Sequence, residues 1–222
     1  MMEKIIIIGT EGHAKVIIDA IELANEYSII GLIDDFKTLN ETTCNYKVIG
    51  KIQDLKSLMA AYKVKNIFIA IGDNYGRNLV YNKLISLDVH LNFITVIHPN
   101  TIIAKEVQLG KGIYIAPGVI VNGGAIILDF AILNTNAVME HDCVLGRFSS
   151  LGPMAIMAGG AKIGDNTAIG LNACVLEKRE VGTNCIIGAG ALVNKNIGNN
   201  KLAYGVPCKV IRERDEGEKY LW

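Results

Sequence analysis

The sequence predicts two domains of different class. An α/β N-terminal domain of Rossmann-like type covers residues 1–95, an all-β parallel coil covers residues 96–211, and residues 212–222 form a charged tail. Three observations carry this division. Residues up to about 94 alternate short aliphatic runs with helical patterns. From Ile97 onward, a large aliphatic residue recurs at every sixth position. A second column, of small residues, runs at the same period.

The first domain opens on Lys4-Ile5-Ile6-Ile7-Ile8, a continuous apolar run of the kind a strand shows when both faces are covered, ended by Gly9. Gly12-His13-Ala14-Lys15 then opens a helical pattern that includes Val16, Ile17, Ala20, Ile21 and Ala24. A second strand is expected over residues 29–33, ending at Asp34-Asp35. Val48-Ile49-Gly50 precedes a short helix around residues 53–62. A third strand, residues 66–71, ends at Gly72-Asp73-Asn74, and a helix over residues 75–87 follows it. Strand and helix in alternation predict a small parallel sheet.

The second domain rests on arithmetic. Counting by sixes from Ile97 to Val193 meets seventeen positions, every one Ile, Leu, Val or Met. A helix repeats at about 3.6 residues and a strand at about 2, so neither demands this spacing. A three-sided parallel coil does, because each flat side turns one large side chain into the prism. Four positions further on stand Ala125, Ala131, Ala137, Cys143, Ser149, Ala155, Ala161, Thr167, Ala173, Cys185 and Ala191, small enough for a crowded interior. The position just after the aliphatic one is Gly at 110, 146, 152, 164, 170, 182 and 188, or Asn at 122 and 134. Both residues tolerate left-handed backbone, which the corners are expected to need. Residues 212–222 are charged and read as a surface helix or frayed tail.

Composition narrows the partners. The 22 basic residues balance 22 acidic ones among 222, which gives no electrostatic reason to expect nucleic acid or an anionic membrane. Half of the chain is hydrophobic, so general disorder is excluded. Apolar runs break every five or six residues, too short to span a bilayer or to form a signal-peptide core after Met1-Met2-Glu3-Lys4. The chain is expected to be soluble and cytoplasmic. Its five cysteines include no C-x-x-C pair, and they are expected to be reduced, small, buried hydrophobes.

Ligands of a parallel α/β sheet bind beyond the carboxyl ends of its strands. Gly9-Thr10-Glu11-Gly12-His13, Asp34-Asp35 and Gly72-Asp73-Asn74 all fall there. Each cluster alone is ordinary turn and cap chemistry; three on one rim suggest a nucleotide, its diphosphate near Gly12-His13 at a helix start. The full G-x-G-x-x-G is missing, which argues against NAD. Of four histidines, His90 reads as structural and His98, before Pro99, as a turn leading into the coil. His13 belongs to the rim. His141 stands at a mid-coil corner between Glu140 and Asp142. A zinc β-helix enzyme would need about three histidines across neighbouring coils. Only His98 and His141 lie in the repeat, so no metal is expected.

Together these motifs resemble the PglD/NeuD family of bacterial sugar acyltransferases. The match lies in Ile8-Gly9-Thr10-Glu11-Gly12-His13-Ala14, Ile33-Asp34-Asp35-Phe36, Phe68-Ile69-Ala70-Ile71-Gly72-Asp73-Asn74 and the run from Leu133 to Cys143. The ending Tyr204-Gly205-Val206-Pro207-Cys208-Lys209-Val210-Ile211 resembles the segment that closes many hexapeptide-repeat enzymes, with Cys208 for the usual Ala. The resemblance implies a left-handed β-helix and a homotrimer with active sites between subunits. It also implies acetyl transfer from acetyl-CoA to a nucleotide-linked amino sugar such as GDP-perosamine or a UDP- or dTDP-linked 4-amino sugar, for surface glycan or O-antigen synthesis. O-acetylation of a sugar of the sialic acid type is the alternative enzyme, and a non-catalytic sugar-nucleotide-binding protein the alternative from another class.

Residue by residue, the resemblance makes His141 the general base and Asp142 the acid that raises its basicity, with Glu140 or an acid from a neighbouring subunit left open for that role. It places Glu11, Gly12, His13, Asp34, Asp35 and Gly72 on the sugar-nucleotide rim. Gly159, Leu171 and Ala189 fall at acetyl-CoA positions. Ser150 stands there too, where some relatives carry a second histidine.

Overall fold

The structure, a computed structural model, describes residues 2–218, which divide into two compact units, residues 2–72 with 76–99 and residues 73–75 with 100–218. In the first unit, strand β1 (Glu3–Ile8) lies at the centre of a sheet and Ile5 to Ile8 are buried. Helix α1 (Gly12–Ala24) buries Ala14, Ile17, Ile18, Ala20 and Ile21 on one face. It stops at Asn25, whose left-handed φ of 55° lets its N–H return to the Ile21 carbonyl. Strands β2 (Tyr27–Ile33), β3 (Thr42–Thr43) and β4 (Tyr46–Gly50) follow. A 3-10 turn over Ile52–Asp54 leads into α2 (Leu55–Tyr62), then β5 (Asn66–Ile69), α3 (Asn74–Ile85) and β6 (Asn92–Phe93).

The sheet order is β3-β4-β2-β1-β5-β6. The chain leaves β1 toward one edge and returns on its other side, so the carboxyl ends of β1 and β5 mark the point where the topology switches. The β3–β4 hairpin, which the sequence reading lacks, closes through Cys44 and Asn45 at φ 49° and 68°, the left-handed pair of a tight two-residue turn.

The second unit carries the six-residue beat into three-dimensional form as a left-handed parallel β-helix. Two-residue strands from Ile102–Ile103 to Cys174–Val175 pair in parallel with the strand eighteen residues later, as in Val121↔Met139, Leu145↔Ile163 and Leu151↔Ile169. The pairs form three sheets, one per side of the prism. The second residue of each strand points inward, and from Ile115 to Val193 that column is no more than 2% exposed. The small-residue column from Ala125 to Ala191 is equally buried.

Two expectations change here. The glycines directly after the aliphatic column do not hold left-handed backbone; their reason is close approach. A Cβ on Gly164 would lie 2.7 Å from the Gly182 carbonyl carbon, and one on Gly170 would lie 2.6 Å from the Ala189 nitrogen. Left-handed φ occurs two positions later, at Gly118, Gly124, Phe130, Asn136, Asp142, Phe148, Met154, Gly160, Asn166, Asn172, Lys178, Asn184 and Gly190. The second change is at the end of the coil, where Arg212 and Glu213 belong to a strand, Lys209–Glu213, antiparallel to Lys201–Tyr204. Residues 219–222 of the expected tail lie outside the described residues.

Gly164→Ala and Gly190→Ala separate the two glycine functions. At Gly190, φ is +67° and a Cβ would meet nothing within 4 Å, so alanine there should cost only the left-handed penalty of about 1–2 kcal/mol. At Gly164 the obstruction is backbone, and forcing coils apart should cost about 1–3 kcal/mol with a lost ladder bond added. Thermal or urea melts of both variants should rank Gly164→Ala as the less stable.

Candidate functional site

The carboxyl ends of the N-terminal strands gather the predicted rim. Gly9 N–H donates to the Ile33 carbonyl and Ala70 N–H to the Ile8 carbonyl, each at 2.8 Å, so β1, β2 and β5 end side by side. Gly9 adopts φ 111°, and a Cβ there would press on the Ala70 oxygen at 3.0 Å. Thr10 Oγ1 donates to Asp34 Oδ2 at 2.6 Å, while Asp34 Oδ1 accepts the Phe36 N–H at 2.9 Å. Asp35 turns elsewhere: Oδ1 accepts the Ile52 N–H at 3.0 Å and Oδ2 lies 3.6 Å from Lys83. The two aspartates therefore brace the loop after β2. A cleft of about 370 Å³ opens beside it, lined by Thr10, Glu11, Gly12, Lys15, Lys37 and residues of the β3–β4 hairpin.

Of the predicted rim residues, Glu11 and Gly12 line this cleft directly. His13 is largely buried, and burial together with the Arg77 charge holds its pKa down at about 4, so it is neutral near pH 7. Gly72 offers its carbonyl to Arg77 Nη1 at 3.0 Å, alongside the Ile71 carbonyl at 2.9 Å. Arg77, 1% exposed, thus holds the turn after β5. Sequence reasoning missed Arg77, Lys15 and Lys37. The lysines add positive charge at a helix start, where an anion is already favoured.

In the coil, His141 and Asp142 meet. His141 Nδ1 lies 2.8 Å from Asp142 Oδ2, and both side chains face solvent. An ionised carboxylate can only accept, so Nδ1 carries the proton of this contact, and in the neutral ring that leaves the lone pair on Nε2. Glu140 is committed elsewhere, its Oε2 accepting from Asn122 Nδ2 at 2.8 Å. Gly159 stacks one coil above the imidazole: a Cβ there would lie 2.6 Å from His141 Nε2. His141, Asp142 and Gly159 thus converge at one corner of the triangular section.

The remaining predicted residues lie apart from that corner along the chain's own surface. Leu171 and Ala189 are exposed at a second corner, joined by the Gly190 N–H to the Leu171 carbonyl at 2.9 Å. Ser150 sits 7% exposed in the strand Ser150–Leu151. Of the cysteines, Cys143 and Cys185 are interior to the prism, and burial pushes the Cys143 thiol up to about 11. Cys44, expected to be buried, is exposed on the hairpin turn. No group of three or more His, Cys, Asp or Glu placed to hold a metal ion occurs among the described residues. None of the described helices is long and apolar enough to cross a membrane.

An α/β domain joined to a hexapeptide-repeat β-helix with a histidine–aspartate corner defines a class, and comparison with known proteins places the chain within it. Residues 4–84 match the PglD N-terminal domain. Perosamine N-acetyltransferase from Caulobacter crescentus, solved as a histidine-to-asparagine variant with CoA and GDP-perosamine, is 31% identical at a TM-score of 0.89, covering 96% of this chain and 99% of that one. The acetyltransferase domain of PglB from Neisseria gonorrhoeae, solved with acetyl coenzyme A, is 27% identical at a TM-score of 0.85, covering 95% and 100%. UDP-N-acetylbacillosamine N-acetyltransferase from Bacillus subtilis is 31% identical over 114 residues, 50% of each chain. The chain spans half or less of the length of the curated relatives it matches. It belongs to the PglD/NeuD family of sugar acyltransferases.

The His13 environment yields a stability prediction. A histidine whose folded pKa of about 4 lies below its ordinary 6.5 binds protons more readily when unfolded, so stability should fall as pH drops from about 6.5 to about 4. Denaturant melts across that range should show a shallower slope for His13→Asn than for the parent.

Proposed function

We propose that this protein is an acetyl-CoA-dependent N-acetyltransferase acting on the C4 amine of a nucleotide-linked 4-amino-4,6-dideoxy sugar in bacterial surface glycan synthesis. GDP-perosamine and UDP- or dTDP-linked 4-amino sugars are the acceptors to test first. The carrying observation is the His141–Asp142 pair: Nδ1–H is committed to Asp142, which leaves Nε2 as a base beside the bare backbone of Gly159.

An amine attacks only through its lone pair and must shed a proton as the new C–N bond forms. His141 Nε2 takes that proton, while Asp142 holds the ring and stabilises the imidazolium. Acetyl-CoA supplies the acetyl group as a thioester whose C–S bond breaks to release a stable thiolate, and the proton held at Nε2 passes to that sulfur. Neither His141 nor any other side chain need be acylated, so transfer is direct and its gain comes largely from holding two substrates together. Backbone N–H groups along the coil supply the oxyanion's donors. Gly159 is suited to the acetyl-CoA arm because no side chain intervenes above the imidazole. Leu171, Ala189 and Ser150 are the remaining candidates for that arm.

In the N-terminal unit, Glu11, Gly12 and the start of α1, with Lys15 and Lys37, suit a diphosphate. His13, Asp34, Asp35 and Gly72 belong to the same proposed sugar-nucleotide rim, with Asp34 tied to the cleft through Thr10. A homotrimer is proposed with this reading. Its support is the outer face of one prism side, where Ile102, Ile120, Val138, Ile156, Cys174 and Leu192 form an apolar stripe, with Ile102 66% exposed. The same reading places the protein in the cytoplasm, where acetyl-CoA and nucleotide sugars are made, with no metal, nucleic acid or membrane required.

Thiol release from acetyl-CoA should be seen with at least one GDP-, UDP- or dTDP-linked 4-amino sugar, with intersecting rather than ping-pong kinetics. His141→Asn should lower turnover about 10²- to 10⁴-fold. Near-normal turnover in that variant would remove the base assignment. Release with hydroxyl sugars alone would replace N-acetylation by O-acetylation, and binding of a nucleotide sugar without any release would leave a binding protein.

A further inference from the structure

The acid partner of His141 has its own support, one coil earlier. Gly124 adopts φ +72°, and a Cβ built on it would lie 2.5 Å from Asp142 Oδ1 and 3.5 Å from Asp142 Cγ. The carboxylate that reaches His141 Nδ1 through Oδ2 therefore rests its other oxygen on the bare backbone of Gly124. Asp142 itself is in the left-handed region at φ 60°, and its N–H donates to the Gly123 carbonyl at 3.1 Å. Backbone thus fixes where the aspartate starts, and the missing side chain at Gly124 fixes where its carboxylate can lie.

We propose that Gly124 is a positioning residue for the His141–Asp142 pair: it keeps clear the space in which the Asp142 carboxylate turns toward Nδ1. The inference rests on the reading of His141 as the base, but its physical content concerns the ring alone. A Cβ at position 124 drives the exposed carboxylate off its seat, because a flexible side chain yields before the coil does. Glu140 directs its Oε2 to Asn122 Nδ2 instead, at 2.8 Å. An imidazole without an acceptor at Nδ1 no longer holds its proton there, and Nε2 then spends part of its time as N–H, unable to accept.

The repeat supplies an internal control. Gly118 occupies the equivalent place one corner earlier on the same coil, at φ +73°, and a Cβ there would run into Asn136 Oδ1. Alanine at 118 and at 124 thus share the backbone strain and the kind of collision, while Asp142 alone of the two displaced side chains touches His141.

The test compares the parent, Gly124→Ala, Gly118→Ala, Asp142→Ala and the Gly124→Ala/Asp142→Ala double variant. Two measurements are needed: ¹⁵N shifts of the His141 ring, and acetyl-CoA turnover with the acceptor found above. Gly124→Ala should raise the Nε2–H tautomer and lower turnover about tenfold, whereas Gly118→Ala should leave the ring shifts unchanged and turnover within about twofold. In the double variant, Gly124→Ala should change turnover by less than about twofold relative to Asp142→Ala, since the contact it disturbs is already gone. Gly124→Asn, which keeps the Cβ but tolerates left-handed backbone, should repeat both changes if the alanine variant folds poorly. Identical ring shifts in the parent and a folded Gly124 variant would overturn the proposal, as would a full further loss in the Asp142→Ala background. A parent that turns over no acceptor would sink the acetyltransferase reading instead, and the ring measurement would still decide the role of Gly124.

Discussion

Everything in the coil depends on how closely one turn of backbone can approach the next. The parallel ladder requires donors such as Gly146, Gly164 and Gly182 N–H to reach the Ile163, Val181 and Ile197 carbonyls at 2.8 Å. At those corners a Cβ would lie within 3 Å of an atom in the turn above. Glycine is costly in a regular element, by roughly 0.5–1 kcal/mol relative to alanine. The cost is offset because each bare corner lets the inward aliphatic column stack without gaps and the ladder close on all three sides. A scaffold of this kind has little freedom to breathe, so a side chain at its corners is held in a fixed frame.

Left-handed backbone two positions after those glycines turns the chain, and the residues that adopt it show how the cost is met. Phe130 and Phe148 accept φ 61° and 54°, a strained choice for an aromatic residue, and stack with ring centroids 4.9 Å apart and planes 6° apart. Asn166 and Asn184 continue the same column with residues that tolerate the conformation at less cost. Asp142 belongs to this left-handed set on another corner, where its carboxylate is used for a contact with His141 rather than for stacking.

The parts of the fold legible in the sequence were those set by inward-facing residues. The aliphatic and small columns have one physical job each, and period and composition expose both. The glycine column was legible as a pattern while its reason was not, because left-handed φ and close approach select the same residue and only coordinates distinguish them. At the N-terminal rim, Gly9, Thr10 and Asp34 follow apolar runs and announce themselves as strand ends. Lys37 reaches the cleft from the loop after β2, and Thr42 and Thr43 through the β3–β4 hairpin, whose strands are too short and polar to carry a period. Arg77 gave no signal at all: its burial follows from where α3 starts against β5, a tertiary fact. The acid beside His141 was likewise open among Glu140, Asp142 and a neighbouring chain, since two adjacent carboxylates are equivalent until side-chain direction is known.

The corner that holds His141 also departs from the rule that builds the others. Glycine directly after the aliphatic column occurs on two of the three corners; on the third, that place holds Ala104, Asn122, Glu140, Ala158, Leu176 and Asn194. There the glycines move outward by one and two positions, to Gly123-Gly124 and Gly159-Gly160, and they bracket His141-Asp142 one coil below and one coil above. This corner therefore lacks glycine beside the ladder and carries paired glycines at its tip, where the other corners have at most one, as at Gly112, Gly118 and Gly190. Glu140 and Asn122 fill the inner position and bond to each other, while Asp142 is the acid that meets the imidazole. The outer position is left free for the ring and its aspartate. A repeat can vary at the tip of one corner because the columns that hold the prism together are untouched by what stands there.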